Sequence, residues 1–407
     1  MPGRAFPRSR GLVGTFGNPA RSGPLVGMSD SALATPPPVS RLSGIDLARG
    51  LALIGMLMVH FGPKGETDLL GRLYALPHGR ASVLFVLVAG IGVALLSRRA
   101  EARGDARLRL FCFALFLLPL GLMLEALHHP VAVILHHYAG FYLFAIAVLG
   151  LPARWLGWLA ALASVIGPLV FFAGRLIWPD VFSRQSVELG DAPGRILLAL
   201  TLTGPYPLVV WAAPLLWGLW LGRQDLRSSG LSRRLVWIGG TAALVAIAAS
   251  ELLFGALGEP RTPADWRFVF ADTAHSQMPL WMIGAIGSAA AMVGLALLAA
   301  ERWPRLVHAG AMLGQMALTV YVLHVLSLWL IGPWLRHDEV IPAIVSVAVF
   351  VALATVYALL WRRRHDRGPI EQMMHAVWEA ALALRGLAEP APRKTEPAGR
   401  VDVRPVA

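Results

Sequence analysis

The residues best suited to chemistry lie at the two ends of the first long apolar segment. Asp46 and Arg49 are near its start, in the run RLSGIDLARG of residues 41–50, and His60 is at its end. A charged side chain at the centre of a spanning helix costs about 3 kcal/mol on insertion scales, so such residues usually serve a purpose. Because Asp46 and Arg49 are one helical turn apart, they either neutralise each other structurally or bind a ligand.

Histidine is the second candidate residue type, because imidazole takes up and returns protons near neutral pH and is a common general base. Of the twelve histidines, nine fall at one common side of the apolar segments: His60, His78, His128, His129, His136, His137, His275, His324 and His337. Any one of them is also typical of a membrane interface. As a group they predict a polar cavity on that side, with His129, His136 and His137 sharing one face if all three are helical.

Polar residues beside these histidines are candidate substrate contacts. Arg80 and Ser82 follow His78 at the start of the second apolar segment, and a cation with a hydroxyl suits a phosphate or sugar oxygen. A lone interfacial arginine is equally typical of an anchor that reaches toward the headgroups. His275, Ser276, His324, His136 and His137 are the remaining candidates for substrate binding. There is no HExxH motif and no acidic partner at ligand spacing, so we predict no metal site.

Composition defines the class of protein that must position these residues. The chain has 407 residues, of which 56% are hydrophobic and 15% charged, and its mean hydropathy is +0.61. A chain this apolar buries its surface in lipid, which predicts an all-α polytopic membrane bundle. Its net charge of +12 comes from arginines in short loops, which is typical of a topology signal; nucleic-acid motifs are absent, so we predict no nucleic-acid partner.

Ten apolar runs are long enough to cross a bilayer, for which about 20 residues suffice. They lie near 45–62, 80–97, 108–127, 130–150, 153–173, 205–222, 234–256, 278–300, 313–333 and 340–361. The segment Gly204-Pro205-Tyr206-Pro207 interrupts a longer apolar stretch, so residues 194–203 are interpreted as an interfacial or re-entrant piece that leads into the sixth span.

The loop charges predict the orientation. With the N-terminus in the cytoplasm, 21 basic residues fall in inner segments and nine in outer ones. This bias predicts a multi-pass protein of the plasma membrane with both termini cytoplasmic and with the histidine-rich side facing outward.

The two ends of the chain differ from the bundle expected over residues 41–365. Residues 1–40 are rich in Pro, Gly, Arg and Ser and predict a disordered cytoplasmic tail, with Met28 as an alternative start to Met1. Residues 366–387 have the spacing of an amphipathic helix on the inner membrane surface, and 388–407 predict a second disordered tail.

Several short motifs, taken in order, resemble a known family. They are GIDLARG to His60 (44–60), HGRAS (78–82), PYP with the glycines up to Arg223 (205–223), His275-Ser276, MALTVYVLH (316–324) and GPIE (368–371). Together they resemble the heparan-alpha-glucosaminide N-acetyltransferase-like and YeiB-type bacterial membrane proteins over about residues 41–380.

The resemblance implies an acyltransferase that moves an acetyl group from acetyl-CoA, as co-substrate, to a sugar or other small-molecule acceptor. It implies an outer-side catalytic histidine, which His78 matches here. Acyl transfer also needs donors for the developing oxyanion, and Arg80, Ser82 and His275 are the candidates for substrate or oxyanion contacts. Asp46 and Arg49 are then a structural or donor-binding pair. The bilayer is the expected partner, and the sequence is equally compatible with a monomer and a homo-oligomer.

Two alternatives remain open. The broader acyltransferase-3 family also begins with an Asp-x-x-Arg-Gly helix followed by a histidine, and in that reading His60 is the base. A small-molecule transporter with a histidine-lined cavity is the other; transporters often have paired broken helices, whereas the sequence contains one clear break, at 204–207.

Overall fold

The computed structural model describes residues 42–63, 68–98, 103–127, 129–182 and 186–388. All regular secondary structure in these ranges is helical, which confirms the all-α class. The expected tail at 1–40, the expected tail at 388–407 apart from Ala388, and His128 lie outside the described residues. The fourteen α-helices of the described ranges are α1 Ser43–Phe61, α2 Leu69–Tyr74, α3 Arg80–Leu96, α4 Arg103–Glu125, α5 Leu135–Val148, α6 Ala153–Ile177, α7 Pro193–Leu198, α8 Leu208–Leu221, α9 Ser229–Leu257, α10 Pro279–Arg302, α11 Pro304–Gln315, α12 Ala317–Leu335, α13 Val340–Trp361 and α14 Pro369–Ala388.

Each of the ten apolar runs forms a helix. Within the described ranges seven helices, α1, α4, α6, α9, α10, α12 and α13, are long and apolar enough to cross a membrane. Two others, α3 and α5, are apolar but shorter. The remaining run, 205–222, forms α8, which is the second half of a bent pair with Pro193–Thr203. The protein is therefore a polytopic α-helical membrane protein.

The first half of the bent pair contains residues 194–203, the segment expected to be an interfacial or re-entrant piece. Helix α7 continues into a π-helical turn, Ala199–Thr203, and this segment meets α8 at an angle of 60°. The break falls at Gly204-Pro205-Tyr206-Pro207, where two prolines lack the N–H groups that would continue the helix.

Two boundaries differ from the sequence prediction. Residues 304–315 form the separate helix α11, which ends where Met316 leaves the helical conformation, so the ninth span begins at Ala317. Helix α5 begins at Leu135, after an irregular segment from residue 129. His129 is therefore not helical, and the helical face that it was expected to share with His136 and His137 does not exist.

Close helix contacts at small residues hold α1 in place. A Cβ atom at Gly314 of α11 would overlap the carbonyl oxygen of Asp46, and one at Gly50 would overlap the carbonyl oxygen of Gly310. In lipid, where apolar surfaces gain little from meeting one another, such close backbone approach is a main source of helix association. The outward faces of α9 and α13 keep large apolar side chains exposed, as expected for a surface in contact with lipid.

The bundle has two ends, and the functional residues divide between them. The "His60 end" is where α1, α12 and α6 finish and where α3, α5 and α10 begin; the "Asp46 end" is where α1 and α12 begin. Helix α14, expected from the amphipathic spacing at 366–387, packs against α4 and α12 at the Asp46 end.

Candidate functional site

The clearest polar contact between spans is a pair of histidines. Nδ1 of His60, one residue before the end of α1, lies 3.1 Å from Nε2 of His324 in α12, and the two rings are within 4° of parallel. His324 is fully buried and His60 half-buried. One nitrogen must donate and the other accept, so this contact fixes the tautomers of the two rings relative to each other.

Tyr321 supports the pair from the preceding turn of α12. Its ring meets that of His324 edge to face, with centroids 4.7 Å apart, and its hydroxyl accepts a hydrogen bond of 3.2 Å from the backbone N–H of Ile134. Tyr321 was not among the candidate site residues, although its spacing of three from His324 places both on one helix face. The irregular segment before α5 thereby connects to the histidine-bearing helix.

A cavity of about 650 Å³ opens at the His60 end, between the end of α1, the irregular segment before α5, and α12 with the loop that follows it. It is lined by Gly62, Pro63, Pro130, Leu328, Trp329, Gly332, Pro333, Arg336, His337 and Asp338. Gly62 lies two residues beyond His60, and Leu328 lies one helical turn beyond His324. The backbone N–H of His337 donates to the carbonyl of Phe61, and the His337 ring contacts the Ser346 hydroxyl, so this rim is held by hydrogen bonds.

A second group of candidate residues, the His78 group, comprises His78 and Arg80 where α3 begins and His275 in the loop before α10. Gly79, the residue before α3, has a φ of +69° and packs against the loop before α10. A Cβ atom there would lie 3.3 Å from the backbone nitrogen of His275 and 3.1 Å from the Trp281 ring. Arg80 and Asp272 form an ion pair at 3.7 Å. Burial raises the pKa of the Asp272 carboxyl, and the Arg80 charge opposes that rise. The turn that carries His78 and Arg80 therefore packs against the loop that carries Asp272 and His275.

The two serines predicted as substrate contacts have local partners. Ser82 donates to the carbonyl of Gly79 at 3.0 Å, within the first turn of α3. Ser276 donates to the carbonyl of Ala271 at 3.2 Å and accepts from the Met278 N–H at 3.4 Å. Both hydroxyls stabilise the turns that begin α3 and α10.

His136 and His137 form a third feature at the start of α5. Their ring centroids are 4.2 Å apart, both residues are almost completely buried, and none of the four ring nitrogens has a hydrogen-bond partner among the described residues. The His137 ring meets Tyr206, which in turn meets His275, so this pair adjoins the His78 group. The histidines described so far thus fall into two groups, His60 with His324, and His78 with His275, His136 and His137.

The loop that carries His275 is held in a constrained shape. His275 and Gln277 have positive φ angles of 57° and 65°, which non-glycine residues seldom adopt. The Gln277 amide bridges two elements: it accepts from Trp211 Nε1 at 2.9 Å and donates to the carbonyl of Pro205 at 2.9 Å. These bonds tie the loop to the break between α7 and α8.

At the Asp46 end, the Asp46–Arg49 pair is built into the helix packing. Arg49 donates to Asp46 at 2.9 Å, and Gln315 of α11 donates to the second carboxylate oxygen at 3.0 Å. Arg49 also reaches the carbonyl of Gly314 at 3.5 Å. These contacts support the structural interpretation of the pair, in which it joins α1 to α11.

No group of three or more His, Cys, Asp or Glu side chains among the described residues is arranged to hold a metal ion. The ionisable side chains described at the His60 end include the imidazoles of His60 and His324, with Arg336 and Asp338 at the cavity rim.

Comparison with protein families adds one finding to the class defined by the fold. Residues 221–380, from the end of α8 into α14, match the model of a family described as a protein of unknown function, DUF418. This match is consistent with the resemblance to YeiB-type proteins, and it includes His275, His324 and the GPIE segment at 368–371. No curated protein matches the chain.

Proposed function

We propose that this protein is a membrane acyltransferase that moves an acetyl group from acetyl-CoA to a hydroxyl or amine of a sugar or another cell-envelope acceptor. The observation that supports this proposal most directly is the hydrogen-bonded pair His60–His324. The two histidines lie two and four residues before Gly62 and Leu328, which line the 650 Å³ cavity. In such a pair one imidazole can take up a proton while the other accepts a hydrogen bond from it.

The proposed reaction needs one base and no redox partner. One imidazole of the pair removes the proton of the acceptor O–H or N–H, and the acceptor oxygen or nitrogen attacks the thioester carbonyl carbon. The carbon–sulfur bond breaks, the acetyl group stays on the acceptor, and the imidazolium returns its proton to the coenzyme A thiolate. If His60 donates through Nδ1 to His324, its Nε2 carries the lone pair that the base requires.

The two ends of the bundle have different proposed roles. With both termini in the cytoplasm of a plasma-membrane protein, the cavity with Arg336 and Asp338 faces outward and receives the acceptor. Acetyl-CoA is cytosolic and approaches from the Asp46 end. His324 lies seven residues into α12, about 10 Å along the helix axis, so the thioester arm must enter the bundle to reach it.

His78, with His275 and the Arg80–Asp272 pair, is the second candidate base, and it is the one that the family resemblance implies. The experiment that separates the two sites is release of coenzyme A thiol from acetyl-CoA by the purified protein in nanodiscs, with glucosamine as the probe acceptor. The variants are His60→Ala, His324→Ala and His78→Ala. His308→Ala, an exposed histidine of α11, is the matched control.

We expect His60→Ala and His324→Ala to lower the rate by at least about 100-fold, the usual contribution of a general base, and His308→Ala to leave it unchanged. Loss in His78→Ala with retention in both others would move the base to the His78 group. Absence of thiol release above empty nanodiscs, together with uptake of glucosamine into proteoliposomes, would refute the acyltransferase and favour the transporter.

A further inference from the structure

The helices α12 and α14 cap each other where they begin, although 52 residues separate the residues concerned. The Glu371 carboxylate accepts hydrogen bonds from the backbone N–H groups of Leu318 at 2.9 Å and Thr319 at 3.1 Å. The Thr319 hydroxyl donates to the second oxygen of Glu371 at 2.5 Å and accepts from the N–H of Ile370 at 3.2 Å. Both helices therefore gain a partner for N–H groups that a helix start leaves unpaired.

The first residue of the GPIE segment has a steric role in this contact. A Cβ atom at Gly368 would lie 2.8 Å from the Thr319 hydroxyl oxygen and would overlap the Glu371 carboxylate. Only glycine fits there without displacing one of the two side chains. The segment Gly368–Glu371 is thus shaped to hold the start of α12.

The start of α12 is rigidly connected to the histidine pair. His324 lies five residues beyond Thr319, about 7.5 Å along the axis, and the departure from helical geometry in α12 comes later, at Ile331. A hydrogen bond such as that between His60 and His324, at 3.1 Å, tolerates displacements of only a few tenths of an ångström. A shift of the first turn of α12 would therefore also displace His324, because the helix is regular between them.

We propose that Glu371 is a positioning residue for the His60–His324 pair. It holds α12 at the depth and rotation that the contact with α1 requires. This inference rests on the proposed function for its kinetic consequence, but the geometric consequence is independent of that function.

Other contacts keep α14 in place, so the loss of Glu371 need not release the helix. Arg109 of α4 donates to the His375 ring at 2.8 Å and lies over the Trp378 ring, 4.7 Å from its centroid. These contacts involve α4 and leave α12 untouched. Glu379 offers a matched control on the same helix, because its carboxylate is exposed and meets Arg367 at 3.8 Å.

The geometric test uses cross-linking. In a Cys112→Ser background, His60→Cys and His324→Cys are combined, and the rate at which a short bifunctional thiol reagent joins them is measured with and without Glu371→Gln. The kinetic test measures kcat and KM for acetyl-CoA, with glucosamine as the probe acceptor, and the pH profile of kcat in the otherwise native chain.

We expect Glu371→Gln to slow cross-linking severalfold and to lower kcat by about tenfold with KM within twofold, as for a catalytic group misplaced by a fraction of an ångström. Its pH profile should also shift. Glu379→Gln should change none of these readouts. If Glu371→Gln does not accumulate in membranes, Thr319→Val replaces it, since it removes the hydroxyl and keeps the carboxylate bonds to the backbone.

Equal cross-linking in the Glu371→Gln and Glu379→Gln proteins would overturn the positioning role. Slower cross-linking with unchanged kcat would support the positioning role and would instead refute the catalytic role of the histidine pair. Rescue of kcat by Glu371→Asp to near the native value would show that charge near the helix start is sufficient, and would overturn the requirement for this geometry.

Discussion

The replacement Gly204→Ala tests the packing between the broken span and the buried histidines. A Cβ atom at Gly204 would lie 2.6 Å from Nε2 of His137 and 2.6 Å from the carbonyl oxygen of Ala199. Because real Cβ atoms essentially never approach closer than 3.0 Å, at least 0.4 Å of movement is needed. His137 is fully buried and Ala199 nearly so, so neither side can yield into open space.

Overpacking of this kind costs about 1–3 kcal/mol. We therefore expect Gly204→Ala to lower the midpoint of thermal unfolding by a few degrees. The measurement is the fraction of detergent-solubilised protein that stays monodisperse on size exclusion after heating. Gly194→Ala is the control, since a Cβ atom at Gly194 in the adjoining α7 meets nothing within 4 Å. It should leave stability unchanged or raise it by up to about 1 kcal/mol.

Equal stability of Gly204→Ala and Gly194→Ala would refute overpacking at Gly204. That result would mean that the π-helical turn and the His137 ring yield at little cost, and that the break between α7 and α8 is loosely packed. A loss confined to Gly204→Ala would confirm that the orphaned imidazoles sit in a closely packed site.

Two further predictions concern single buried side chains. Burial, and then the charge of Arg109, lowers the pKa of His375 to about 4 from 6.5; because the docked state binds the proton less readily than the free helix, docking of α14 should weaken as pH falls from about 6.5 to about 4 and then level off. Protease sensitivity of α14 across that range checks this, and His375→Phe should abolish the dependence; a flat response in the native chain would contradict it. Gln277→Leu should cost about 1–3 kcal/mol because it leaves the buried Trp211 Nε1–H and the Pro205 carbonyl without their partner. Unchanged thermal stability of this variant would show that the bridge contributes nothing.

The sequence predicted many of the residues of the candidate site, but not which of them contact one another. His60 and His324 were both candidates, yet they are 264 residues apart in the chain, and their contact depends on how α1 and α12 rotate and pack. His78 and His275 were likewise candidates, and only the packing of Gly79 against the His275 loop brings them together. From the sequence, the hydroxyls of Ser82 and Ser276 could equally contact a substrate, but in the structure they form hydrogen bonds within their own turns.

The sequence by itself determined the class and the order of the ten apolar helices, because the cost of placing a segment in lipid is a sum over neighbouring residues. It also determined the break at 204–207, because two prolines there lack the N–H groups that would continue a helix. The amphipathic spacing of 366–387 likewise determined the helix α14. Tertiary structure decided which polar groups meet, including Glu371, which a local reading takes for an ordinary surface acid. A side chain's partner across the bundle depends on helix rotation and depth to within an ångström, and no local pattern of residues carries that information.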